Sequence, residues 1–278
     1  MDDYIINIIQ EIVNGVTNLG GIGGALTQTP AQFNPTIYSL VTNICQFAVM
    51  PIAYVILAIV FTLELYNAST RIDGAGGGTT LGVEIVFRVM VKFVLCKIAV
   101  DMTPQILNAI FQISSSIIGN IQIETTQFTT GADMDELKAS VQTLGGFMSK
   151  MMLCVQITII WIAFKFSTMM ITLITLARMI EIYIYTAIAA IPIATLGGGE
   201  LSSIGKNFLK GFAAVSIQGA IIYIILNFFG AFVANIPVNT LSANNITDVL
   251  FQSLLYTFLL VLAVFSSGRF SKLICNAM

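Results

Sequence analysis

Long apolar runs without a charged residue alternate with short polar connections along this chain. Residues 12–63 contain no Asp, Glu, Lys or Arg, and comparably bare runs cover 151–164, 211–247 and 249–268. Each is too long for a buried strand and too continuous for the alternating pattern of an outer-membrane barrel, so the runs predict helices. A helix needs roughly 20 residues to cross about 30 Å of hydrocarbon. Spans are expected near 36–66, 81–121, 151–177, 212–233 and 249–267. The fold class is therefore all-α: a polytopic integral membrane helix bundle of about five crossing helices.

Two further elements depart from that pattern. In residues 2–16, Tyr4, Ile5, Ile8, Ile9, Ile12 and Val16 recur at helical spacing against Asp2, Asp3, Asn7, Glu11 and Asn14, which predicts an amphipathic helix lying in the interface. It has neither the basic start nor the small-residue cleavage site of a secretory signal, so it is expected to stay in the mature protein. The stretch 171–211 instead runs from one apolar segment into the next without a clear loop. Arg178 and Glu181 interrupt it, Pro192 falls inside the short piece that follows, and Gly197, Gly198 and Gly199 close that piece. Residues 182–196 are too few to cross a bilayer, and a helix broken there must have its freed carbonyls and amides covered by protein or water. They predict a broken or re-entrant helix packed inside the bundle.

Composition strengthens the membrane assignment. Charged residues make up 9% and apolar residues 56% of the chain, with a mean hydropathy of +0.90, whereas soluble domains carry about 25% charged residues. The few charges inside the spans then become candidate functional residues, because ionised groups at membrane depth normally face protein or water. In the second span, Glu84, Arg88 and Lys92 fall on one stripe about 80° wide, and Lys97 and Asp101 pair on roughly the opposite side. Two intrahelical ion pairs, Glu84 with Arg88 and Lys97 with Asp101, are expected, leaving Lys92 to face a lumen or an anionic lipid headgroup. Lys165 stands alone in the third span and needs a carboxylate, with Glu64, Glu84 and Glu181 the candidates. Pro51 is expected to kink the first span, and Gln218 and Asn227 can bond across helices.

The organisation read from these features is an N-terminal amphipathic helix and Gly-rich loop (1–35), the first two membrane helices (36–122), an acidic extracytoplasmic loop (123–150), a membrane core (151–268) and a short cytoplasmic tail (269–278). Residues 135–144 of the acidic loop could form a short interfacial helix. If 182–196 turns back without crossing and the N-terminus is outside, Arg71, Arg178, Lys206, Lys210, Arg269 and Lys272 lie inside against Lys138 and Lys150 outside, as the positive-inside bias requires. A sixth crossing would reverse that bias.

The chemistry of the side chains excludes more than it offers. There is no histidine and the net charge is −2, so imidazole acid–base chemistry, common metal sites and a nucleic-acid-coating surface are not expected. The glycine tract at Gly74, Gly76, Gly77 and Gly78 lacks the Lys-Ser/Thr ending of a phosphate loop. Cys45, Cys96, Cys154 and Cys275 lie far apart and read as small apolar side chains. No catalytic, cofactor or metal residues are assigned, and an enzyme is not expected.

The run Arg178-Met179-Ile180-Glu181, the segment TAIAAIPIATLG from Thr186 and the segment SSIGKNFLKGFAAVSIQG from Ser202 resemble the TrbL-type polytopic inner-membrane subunits of type IV secretion and conjugation systems, especially those of Gram-positive mobile elements. The resemblance is strongest over 151–268, and it covers a diffuse pattern without a catalytic signature. Many members carry a long soluble C-terminal segment where residues here end at Met278, which implies a separate partner or a minimal system.

The resemblance implies a homo-oligomeric ring, a pentamer, at the base of a secretion apparatus. It also implies a stalk or pilus-like subunit outside, separate ATPases, surrounding phospholipid and a transient single-stranded DNA–relaxase substrate without a stable nucleic-acid site. Arg178, Glu181 and the Pro192–Gly199 turn would shape the subunit core, and Glu84, Arg88 and Lys92 would line a lumen or a subunit contact. Two other classes compete: a secondary transporter or small-solute channel working as a monomer or dimer, for which broken helices and a lone Lys165 are typical parts, and a scaffold that does not conduct.

Overall fold

The computed structural model describes residues 3–8, 10–11, 26–74, 79–125, 147–234 and 246–277, all of them helices and turns. The glycine loop at 20–24, residues 75–78, the acidic connection 126–146 with its expected short helix, and the connection 235–245 lie outside the described residues. Residues 3–8 and 10–11 are helical, with Ile5 and Ile8 buried and Asp3, Asn7 and Glu11 exposed, as the amphipathic pattern predicts, whereas Tyr4, expected on the apolar face, is exposed.

Local chemistry sets the first helix starts. Thr29 and Gln32 form a reciprocal capping box at α1 (Pro30–Phe33). Asn34 then accepts the Ile37 N–H at 3.1 Å to open α2 (Pro35–Asn43), which has proline at its first position. The chain continues without a break through a π-helical stretch, Ile44–Val49, into α3 (Met50–Gly74). The disturbance expected at Pro51 is found just before it: Met50 N–H bonds to the Cys45 carbonyl, five residues back, as a π turn requires. The widened turn lies where a proline ring would otherwise press on the carbonyl four residues before it.

The expected single span at 81–121 is two helices, α4 (Thr79–Asp101) and α5 (Thr103–Thr125). The break falls at Met102, because Pro104 has no N–H to give the Val100 carbonyl, and the Thr103 hydroxyl takes that carbonyl instead at 2.8 Å. The third span also differs from expectation. Helix α6 (Phe147–Ile188) does not end at Arg178 or Glu181 but runs for 42 residues, about 63 Å at 1.5 Å per residue. Its hydroxyls are silenced within the helix: Thr158, Ser167, Thr168, Thr172, Thr175 and Thr186 each bond to the carbonyl four residues earlier. After the short α7 (Ala190–Ala194) and a 3-10 turn, Thr195–Gly197, come α8 (Ser202–Ala234) and α9 (Ile246–Ile274).

Among the described residues, four stretches are long and apolar enough to cross a membrane: Pro35–Thr70, Lys150–Ile188, Ser202–Phe229 and Leu254–Ile274. They coincide with four of the five expected spans. The exception is the α4–α5 pair, whose charges are concentrated in α4.

Contacts divide the chain into two compact units. One, here the turn unit, comprises Thr29–Ser114, Arg178–Ile217 and Ser271–Met278. Its core includes Cys45, Leu57, Val100, Phe111, Ile193 and Phe212, and the Phe61 and Phe93 rings, 4.3 Å apart, join α3 to α4. The other, the anchor unit, comprises Met1–Gln28, Ser115–Ala177 and Gln218–Phe270 around Leu26, Ile118, Ile171, Ile222 and Val264. In it Gln218 bonds across to Ser267 at 3.2 Å, as its polarity suggested, whereas Asn227 bonds within its own helix to the Tyr223 carbonyl.

The tightest approach in the turn unit is at Gly205, where an added Cβ would lie 2.6 Å from the Pro192 carbonyl oxygen and 2.7 Å from Leu196. Gly205→Ala is therefore expected to cost about 1–3 kcal/mol through overpacking and to lower the melting temperature of the detergent-solubilised protein. Gly119→Ala, with nothing within 4 Å of the added carbon, is expected to leave it unchanged or raise it. Equal melting temperatures for both variants would contradict this packing.

Candidate functional site

The broken segment supplies the most densely satisfied polar geometry in the chain. Pro192 has no N–H, and in a continuous helix its ring would press on the carbonyl of Ile188, which is where α6 ends. The break thus begins at Ala189, seven residues later than the expected start at 182. Beyond it, backbone groups that a continuous helix would pair are taken by side chains. Thr195 Oγ1 donates to the Pro192 carbonyl at 2.7 Å and accepts the Gly205 N–H at 3.1 Å. The Cys96 thiol of α4 lies 3.6 Å from the Ile193 and 3.7 Å from the Ala194 carbonyl oxygen, a weak donor placed where helix donors are missing. The Gly199 N–H donates to the Glu64 carboxylate of α3. Ser202 completes the turn by donating its hydroxyl to the Gly199 carbonyl at 2.8 Å.

The glycines act by allowing these approaches. A Cβ at Gly197 would touch Cys96 Sγ at 3.4 Å, at Gly198 it would meet Val60 at 3.1 Å, and at Gly199 it would meet the Glu64 carboxylate at 3.0 Å. Glu64, Cys96, Thr195 and Gly205 were not among the expected site residues. Only the polar type of Glu64 and Thr195 within apolar surroundings could have signalled them. Cys96, expected as a plain apolar filler, is buried but also faces two carbonyls; Cys45 is buried too, and all four cysteines are free.

Arg178 is 2% exposed, on the α6 face that packs in the turn unit. Its Nε and Nη2 donate to the carbonyls of Val215 and Ser216 in α8 at 3.1 and 3.2 Å, and its guanidinium lies 5.6 Å from the centre of the Phe111 ring. Ser114 Oγ donates to the same Ser216 carbonyl at 2.5 Å. The charge is thus held by carbonyl dipoles and an aromatic face, and no carboxylate lies within 4 Å of it among the described residues. Glu181, half-buried one turn later, takes part in none of the ion pairs among the described residues.

On α4 both expected intrahelical pairs are present, Arg88–Glu84 at 3.0 Å and Lys97–Asp101 at 2.8 Å. Tyr54 of α3 adds a 2.6 Å hydrogen bond to Asp101. Lys92 is not the spare cation: it lies 3.9 Å from Glu64, the carboxylate that also holds the Gly199 amide. Lys92–Glu64 and Lys97–Asp101–Tyr54 each tie α4 to α3, and the first also reaches the glycine turn.

In the anchor unit, Lys165 pairs with Glu11 at 3.2 Å, not with Glu64, Glu84 or Glu181. The same Glu11 carboxylate accepts the Trp161 indole N–H at 2.7 Å, and the ammonium sits 5.5 Å from the Trp161 ring centre. The N-terminal segment was read as an interfacial helix by itself, so its carboxylate was not considered as a partner. The hydrogen bond from Trp161, followed by the Lys165 ammonium, holds the Glu11 carboxyl below its ordinary value.

These features define a polytopic helical membrane protein whose polar side chains close a broken helix and pin helices to one another. A family model described as TrbL/VirB6 plasmid conjugal transfer like protein matches residues 15–190, more than half of the 278-residue chain. The chain belongs to the TrbL/VirB6 family of conjugal transfer proteins, a family of type IV secretion subunits and not of known enzymes. With four helices among the described residues long and apolar enough to span, it is a multi-pass protein of the cytoplasmic (inner) membrane. The match covers the first spans and stops within α7: it takes in 15–150, before the stretch 151–268 where the resemblance was expected to be strongest, and leaves out 191–268. Neither the curated proteins nor the solved structures compared with the chain include a match.

Trp161 is the chain's single tryptophan, which makes the anchor directly observable. A lowered carboxyl pKa means that the Glu11 contact is fully present above the ordinary glutamate value of 4.5 and is lost as pH falls through the lower folded value. Tryptophan emission from protein in lipid nanodiscs is expected to hold steady from neutral pH to about 5 and to change below about 4.5. Glu11→Ala, which leaves no acceptor for the indole N–H, should give at neutral pH an emission changed from the parent's; a variant spectrum identical to the parent's would rule out the Glu11–Trp161 bond.

Proposed function

We propose that this chain is the ring-forming channel or scaffold subunit at the membrane base of a conjugative type IV secretion apparatus. Copies surround a shared axis, five of them by the family resemblance. The ring supports a stalk or pilus-like subunit outside, sits among phospholipids, and passes a relaxase-bound single DNA strand driven by separate ATPases. The match of a conjugal-transfer family model to residues 15–190, which include the charged α4, carries this reading. With the α4–α5 pair as a fifth crossing held within the ring, the N-terminus lies outside and the C-terminus in the cytoplasm. Even with Arg178 set aside as a buried core residue, Arg71, Lys206, Lys210, Arg269 and Lys272 still outnumber Lys138 and Lys150. The five regions set out from the sequence keep their roles here, with 123–150 as the outer acidic loop and 269–278 as the inner tail.

The turn at Pro192–Gly199 and the Arg178 contacts support a rigid subunit core, because each ties separate helices to one another. A transporter reading drew on Lys165 as an unpaired ion-binding group, and its ammonium is held by Glu11. The three α4 residues Glu84, Arg88 and Lys92 fall to a lumen or to a subunit contact.

Particle symmetry and mass of the protein extracted in native nanodiscs test the ring. Several copies about one axis are expected, together with a loss of DNA transfer of at least tenfold when Arg88→Leu removes the Glu84 partner. A monomer or dimer would contradict the ring, and unchanged assembly and transfer in Arg88→Leu would remove α4 from it.

A further inference from the structure

The charges on α4 are embedded in a helix whose outer surface suits no single solvent. Taking about 100° per residue, Phe87, Met90, Val91, Val94 and Ile98 fall within an arc of about 100°, and all five are exposed. Cys96 and Val100, on the opposite face, are buried. Glu84, Arg88 and Lys92 flank the apolar arc on one side, Lys97 flanks it on the other, and Asp101 closes the far end of the arc itself. The flanking charges are open: the Arg88 and Glu84 side chains are 80% and 65% exposed.

Depth in the bilayer does not resolve the conflict. Successive charged residues of α4 are at most five positions apart, about 7.5 Å along the axis, against a hydrocarbon thickness of about 30 Å. Any part of α4 placed in hydrocarbon therefore brings exposed charges against lipid tails. Any part placed in water leaves a contiguous aromatic and aliphatic arc uncovered. An apolar centre with a charged rim on both flanks is the surface a protein contact presents.

We infer that the outer face of α4 is the contact between neighbouring copies of this chain, which assigns Glu84, Arg88 and Lys92 to the rim of that contact and not to a DNA-lining lumen. The inference rests on the ring reading and goes beyond it. Charge balance selects the occupant. Arg88 is neutralised by Glu84, Lys92 by Glu64 and Lys97 by Asp101, so the face offers no net positive field to a polyanion. It offers nothing to a strongly acidic or basic partner either. A second copy, itself apolar and sparse in charge, complements a neutral apolar surface with paired rims.

Photocrosslinking in intact membranes tests this. The photoreactive residue p-benzoylphenylalanine is placed at Phe87 and, separately, at Val94, with Leu173, an exposed apolar position of α6, as comparison. Particle mass is measured on the same preparations. The expected result is a crosslinked pair of identical chains from both α4 positions, at least tenfold more abundant than from Leu173. Intact rings in which both α4 positions label only lipid or a different protein would overturn the α4 contact while leaving the ring standing. Single copies by mass without a self-crosslink would overturn both.

Discussion

The constraint from which the rest of the structure follows is that a helix broken in an apolar bundle cannot leave its backbone to water. Pro192 and the glycines after it release several carbonyls and amides, each costly if unpaired in such surroundings. The chain answers with side chains drawn from three helices: Cys96 from α4, Glu64 from α3, and Thr195 and Ser202 from the segment itself. Glu64 also meets Lys92, so closing the break fixes α3 to α4, and the Lys97–Asp101 pair joins the same two helices separately through Tyr54. Gly205 completes the arrangement by letting α8 begin directly against Pro192 and Leu196.

The same economy of charge governs the rest of the molecule. With Glu181 as an exception, ionised groups inside apolar helices are paired along the helix, as at Glu84–Arg88, paired between helices, as at Lys92–Glu64, held by backbone dipoles, as at Arg178, or joined to the N-terminal segment, as at Lys165. A pore lined for a polyanion would need unpaired cations. In α4 each cation has its carboxylate, which is why that helix fits a contact between apolar proteins better than a conducting wall.

Much of this was legible from the residues alone. Charge-free runs longer than a bilayer crossing fixed the all-helical membrane class, and an i to i+4 spacing fixed the two ion pairs of α4. The position of the break was legible only to within a turn or two. Arg178 and Glu181 looked like interruptions of α6, but a guanidinium that reaches two carbonyls of α8 can stay inside a continuous helix. The division of α4 from α5 depended on Pro104, where one continuous span was expected and two helices are found. Partners distant in sequence were not legible: Glu11 lies 150 positions before Trp161. Gly205 carries the strictest steric demand, yet nothing in one sequence separates it from the conspicuous Gly197–Gly199 tract.

Amide hydrogen exchange across residues 190–205 in lipid nanodiscs tests the sealing of the break most directly. The account predicts that the Gly199 and Gly205 amides exchange slowly in the parent protein, and that Glu64→Ala accelerates exchange at Gly199 while leaving Gly205, held by Thr195, protected. Rapid exchange at both amides in the parent protein would mean that the turn is open to water and would contradict the account at its base.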